Sequence, residues 1–154
     1  MTRDEILALE GRELDAAVAE RVMGWVWMRT VPGHVWGDGT VHEESKVRAH
    51  LYRPDSLLAH WGSIVPDDGK YPRGQCSASV PHYSTDIAAA WKVVTARDWY
   101  VSIAWSNKKQ IAWAKVYPSV CPDSWDEPFV EVEAPTPELA ICRAALLAVL
   151  EVDK

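Results

Sequence analysis

Lys46, Arg48, His50 and Tyr52 occur at every second position of the stretch KVRAHLYR. Side chains two apart on an extended strand share a face. A strand over 46–53 therefore sets these four in one row, with Val47, Ala49 and Leu51 behind them. Cations that fit phosphate oxygens, next to a ring that stacks on a base, have the chemistry of nucleotide contact. A solvated basic face on an edge strand, which discourages aggregation, gives the same pattern. The aromatic balance points the same way: the chain has nine Trp and five Tyr against one Phe. Trp91, Trp99, Trp105 and Trp113 fall on regular apolar patterns and are expected in a core. Trp25, Trp27, Trp36 and Trp61 do not, so they and Tyr83 are the rings available to a planar guest. The candidate ligand-binding set is thus Trp25, Trp27, Trp36, Lys46, Arg48, His50, Tyr52, Trp61 and Tyr83.

Other constellations carry less. His34, His42, His50, His60 and His82 lack the close pairings of zinc sites, and there is no Cys-x-x-Cys, so no metal or cofactor is expected. Cys76 and Cys121 have no assignable base, and Cys142 lies on an apolar helical stripe, where a thiol is buried and inert. Asp67-Asp68 resembles an exposed turn. Tyr83-Ser84-Thr85-Asp86 suits an anion at a helix N-terminus, but helix capping by Ser84 or Thr85 explains the same residues. No P-loop, dinucleotide glycine pattern, nucleophile elbow or zinc-protease motif is present. No catalytic set emerges, and an enzyme is the less favoured class.

The elements that must position these residues follow from patterning. The 154 residues suit one domain, 1–154, with 48% apolar and 25% charged residues. A net charge of −6 argues against bulk nucleic-acid binding through phosphates. No segment has the ~20 apolar residues of a membrane span, and three scattered cysteines suit a reducing compartment. Thr2 to Glu5 fits a capping box. A second helix is expected over 12–23, ended by Gly24. Residues 25–83 are too long for one loop. They are expected to hold a strand at 25–30, a hairpin about Gly37-Asp38-Gly39, the 46–53 strand and a short helix at 54–60. Ile87, Ala90, Trp91 and Val94 form an apolar stripe on a central helix. Period-two alternation predicts strands at 99–105 and 110–117, joined by Ser106 to Lys109, and a third at 129–134. Thr136 caps a last helix with Pro137 at its first position.

GRELDAAVAERVMGW (11–25), VPHYSTDIAAAWKVV (80–94) and APTPELAICRAALLAVLE (134–151) resemble the phage ABA sandwich domain family of small phage and prophage proteins. The resemblance implies an α+β fold. Its form is a three-layer α/β/α sandwich with helices packed on a central, mainly antiparallel sheet. It is thinnest over 26–79, a segment expected to vary within the family. It implies the host bacterial cytoplasm as location and carries no family-wide catalytic set. Together with the ring excess and the basic row, it leads to an expected non-enzymatic binder that sequesters a host nucleotide immune signal. The alternative is a module that binds and inhibits a host or phage protein. A homo-oligomer is compatible with either.

Overall fold

The computed structural model describes residues 1–154 except 36, 42, 61–62, 75–78, 118–128 and 153–154. The side chains of 46 and 58–60 are likewise outside the described set. The order is α1 (Arg3–Ala8), α2 (Gly11–Arg21), β1 (Val26–Thr30), β2 (Ala49–Tyr52), β3 (Ile64–Pro66), α3 (Ile87–Thr95), β4 (Tyr100–Ser106), β5 (Ile111–Tyr117), β6 (Val130–Ala134) and α4 (Pro137–Val152). Short 3-10 turns at Glu44–Lys46 and Pro54–His60 interrupt the β1–β3 region. Both sheets are antiparallel, ordered β2-β1-β3 and β4-β5-β6, so the fold is α+β. The chain forms two compact units: 1–23 with 81–154, and 24–80.

The first unit is built around α4. Every residue from Ala140 to Ala148 is buried, including Cys142 and Arg143. A helix that is apolar all round belongs inside a core, and a single stripe over Leu139, Cys142, Leu146, Val149 and Leu150 understates it. α4 packs on β5 and β6 and also on α1, α2 and α3. The start of α4 is as expected: the Thr136 hydroxyl accepts the Leu139 N–H at 3.4 Å, and Pro137 opens the helix. Ala112, Ala114 and Val116 of β5 are buried, in register with Ala134, Val132 and Val130 of β6. The α1 capping box forms between Thr2 and Glu5. Gly24 has φ +71, the left-handed conformation that ends a helix and suits a residue without Cβ.

Two expectations for α3 are corrected. Its cap is Asp86, whose Oδ1 accepts the Ala88 N–H at 2.9 Å. Ser84 is instead buried, its N–H donating to Asp15 at 2.7 Å. That buried carboxylate also receives Arg12 at 2.9 Å and ties the start of α2 to residues 81–84. The buried face is Ala89, Ala90 and Val93, while Ile87 and Trp91 are 48% and 53% exposed. α3 is apolar on two sides, so periodicity alone could not choose between them.

Candidate functional site

In the unit 24–80, β1 supplies the reference frame. Trp27 and Arg29 sit two apart and share a face. They stand opposite Leu51 and Ala49 of β2, and Arg29 stands opposite Val65 of β3. Val26 and Met28, with Tyr52 and His50 opposite them, occupy the other face.

The strand expected over 46–53 is shorter than its alternation suggested. β2 begins at Ala49, and Lys46 lies in the Glu44–Lys46 turn, closed by the Val47 N–H on the Glu44 carbonyl. Arg48 precedes the strand and is exposed, its Nη1 donating to the carbonyls of Ser45 and Val47. Local backbone acceptors thus hold Arg48 at the turn, and only His50 and Tyr52 remain of the row. These two are half-buried and lie on the face opposite Trp27. Trp25 is buried at 6% exposure and Tyr83 at 1%, so both rings serve packing. Trp36, Trp61, His42, Cys76, Cys121 and the side chain of Lys46 lie outside the described residues. The hairpin about 37–39 is reduced to a bridge between Val35 and Val41.

A different cluster stands on the Trp27 face. Residues 72–74 run beside β2: the Ala49 N–H donates to the Pro72 carbonyl at 3.2 Å, and the Gly74 N–H donates to the Ala49 carbonyl at 2.8 Å. From there Arg73 and Tyr71 reach across the small Ala49 onto β1. The Arg73 guanidinium lies 4.5 Å over the Trp27 ring, and the Arg29 guanidinium lies 4.7 Å over the Tyr71 ring. The two stacks are reciprocal, because Trp27-Met28-Arg29 and Tyr71-Pro72-Arg73 carry the same aromatic–arginine spacing. Each is worth ~0.5–2 kcal/mol, depending on how dry it is. The Tyr71 hydroxyl donates to Glu44 at 3.3 Å. Gly74 is required by close approach, since a Cβ there would stand 2.6 Å from His50 Cε1.

The electrostatics leave this face unsaturated. Asp67 continues the β3 register opposite Trp27, its N–H donating to the Trp27 carbonyl at 3.0 Å. Among the described residues, Trp27 Nε1, Arg29 Nε and Asp67 Oδ1 are buried without a hydrogen-bond partner, although Arg29 Nε stands in ion-pair range of Asp68. Buried polar atoms are nearly always paired, so these adjoining positions keep hydrogen-bonding capacity that the described residues do not meet. Asp68 takes Lys70 Nζ at 3.0 Å and lies 3.7 Å from Arg29 Nε. The hydrogen bond from Lys70, foremost, holds its carboxyl below the ordinary aspartate range. Guanidinium planes, ring faces and donors suit binding of a planar, acceptor-rich molecule. Among the described residues there is no cluster of His, Cys, Asp or Glu able to hold a metal.

Arg29, Tyr71 and Arg73 were not among the residues singled out from sequence, and Asp67, expected in an exposed turn, is half-buried. The signal available was the repeated aromatic-x-Arg spacing, hidden because Tyr71-Pro72-Arg73-Gly74 reads first as a turn.

With the architecture in view, comparison with known proteins is informative. The profile of the phage ABA sandwich domain family matches residues 16–146. The chain belongs to that family. The resemblance seen in the blocks at 11–25, 80–94 and 134–151 is therefore borne out. This phage ABA sandwich protein is similar to a crystal structure of a phage protein from Bacillus cereus ATCC 14579. Identity is 18%, over 92% of this chain and 93% of that one, with a TM-score of 0.49. No curated protein matches it. No helix among the described residues is long and apolar enough to cross a membrane.

Proposed function

We propose that this phage ABA sandwich protein is a non-enzymatic binder that captures a small nucleotide on the Trp27–Arg29 face of the unit 24–80. The observation that carries the reading is the pair of reciprocal arginine–aromatic stacks beside three buried polar atoms that lack a hydrogen-bond partner among the described residues. A base can enter between a ring and a guanidinium plane, and the arginines then turn their forks to phosphate. Trp27 Nε1 and Arg29 Nε donate to base or phosphate acceptors, and Asp67 Oδ1 accepts an exocyclic amine or ribose hydroxyl. His50 and Tyr52, on the opposite face, hold the strand in place rather than the ligand. The segment expected to vary within the family thus houses the specific role. In a phage protein that role is sequestration of a host nucleotide immune signal in the host bacterial cytoplasm. The three-layer order of the family sandwich is part of the same reading.

Calorimetry against a panel of cyclic dinucleotides and ADP-ribose-type nucleotides tests this. One member is expected to bind at one site per protein with no product formed. Flat titrations across the panel overturn the nucleotide assignment. A protein-binding role has one observation in its favour, the exposed Ile87 and Trp91 pair on α3. A stoichiometric host protein in a pull-down that is lost in Trp91→Ala, with no nucleotide bound, decides for it.

A further inference from the structure

We propose that β4 is a self-association edge, on which a second copy of this chain lays its own β4 antiparallel about a two-fold axis at Ile103. The two sheets then become one of six strands.

The two edges of the β4-β5-β6 sheet are treated differently. β6 reads VEVEA, and Glu131 and Glu133 project from it. Glu131 pairs with Lys115 at 3.2 Å, and Glu133 accepts the Trp113 indole N–H at 2.6 Å. Such charged, committed edges resist further pairing. β4 reads YVSIAWS, seven residues without a charge or a proline, in a chain with 25% charged residues. Among the described residues no strand pairs with its outer edge. The small sheet also guards its edges: β3 has three residues and ends in Pro66, and 72–74 covers β2 at Ala49.

Two observations select a second copy as the occupant. The first is charge. Copies with a net charge of −6 repel, and a neutral strand is where they can meet without opposing like charges. An acidic or basic peptide finds nothing on β4 to pair with. The second is self-complementarity. An axis at Ile103 sets Val101 opposite Trp105 of the other copy, Ser102 opposite Ala104 and Tyr100 opposite Ser106. Residues of one face meet residues of the same face, and every pair is neutral. α4 packs on β5 and β6 and only slightly on β4. Trp105, on the α4 side opposite Ala112, therefore stays 41% exposed. The second copy's Val101 covers that ring.

Light scattering over a dilution series tests the proposal on the full chain. The expected mass is twice 17.3 kDa, falling toward the single-chain value on dilution. Ser102→Lys with Ala104→Lys sets lysine against lysine across the axis at exposed positions. It is expected to weaken the dimer by about tenfold or more with an unchanged circular dichroism spectrum. Ser102→Glu with Ala104→Glu behaves alike, and mixing the two double variants restores the dimer. A wild-type chain that keeps the single-chain mass throughout overturns the proposal, as does a double variant that stays fully dimeric. If the variants lose their fold, amide exchange of the wild type decides. Protection at 100–106 that rises with concentration supports the edge, and protection that does not rise overturns it.

Discussion

The two units of this chain differ in how fully their buried polar groups are partnered among the described residues. In the unit 1–23 with 81–154, the polar side chains that enter the core are largely partnered, with Arg143 Nε the exception among the described residues. Asp15, with no exposure, takes the Ser84 N–H and Arg12, and Arg143 donates to the Leu9 carbonyl at 3.0 Å. In the unit 24–80, Trp27 Nε1, Arg29 Nε and Asp67 Oδ1, on adjoining positions of one face, have no hydrogen-bond partner among the described residues. Polar satisfaction is the ordinary state of a core, and under the proposed function the cluster of exceptions on β1 and Asp67 is where the ligand binds. Under the proposed function, the first unit supplies stability and the second recognition.

The contrast can be broken by substitutions on either side. Leu147→Ala, in the buried centre of α4, removes apolar contact and leaves a cavity. It is expected to cost about 3 kcal/mol in a denaturant titration and to leave any ligand affinity of the folded protein unchanged. Arg29→Ala and Arg73→Ala are expected to act the other way round. Each weakens nucleotide binding by about tenfold in calorimetry, through the loss of one stacked guanidinium, with a smaller effect on unfolding. Gly74→Ala pushes a methyl into the His50 ring and is expected to destabilise the 24–80 unit by about 1–2 kcal/mol. Trp27→Phe keeps a ring beneath Arg73 and removes the orphaned donor. The ligand-free protein is then expected to gain about 1 kcal/mol of stability while losing affinity, a sign reversal that a purely structural tryptophan would not show.

The smallest expected effect concerns pH. The Asp68 carboxyl is held below its ordinary range by Lys70, so the contact contributes stability above the unfolded-state pKa. That contribution is lost as pH falls through the lower folded-state value. Acid titration of Asp68→Asn beside the wild type is expected to show this difference vanishing at low pH. Cys142 shifts in the other direction, since burial pushes its thiol up to about 12. It is expected to resist alkylation in the native protein at neutral pH.

How much was legible beforehand follows the same division. The β5 alternation, the α1 capping box and the Thr136–Pro137 start of α4 are local signals, and each formed as patterned. The burial of Cys142 followed from its place on an apolar helix. The helix over 87–95 was legible, but its buried face was not, because tertiary packing decides between two apolar sides. The site was least legible. Its partners come from β1 and from a turn more than forty residues away, and only the pairing of 72–74 with Ala49 brings them together. The basic alternation at 46–52 misled because a turn at Glu44–Lys46 ended the row before it began. Trp27 was among the rings singled out from sequence, but the strand pairing sets it on the face opposite His50 and Tyr52.

The most direct measurement is nuclear magnetic resonance of the tryptophan indole N–H signals during titration with nucleotide, with Trp27→Phe assigning the key resonance. We expect the Trp27 signal to move strongly as its buried donor acquires an acceptor, while those of Trp91, Trp99 and Trp113 stay in place. A bound nucleotide that leaves the Trp27 signal unmoved, or moves only those in the other unit, contradicts the account.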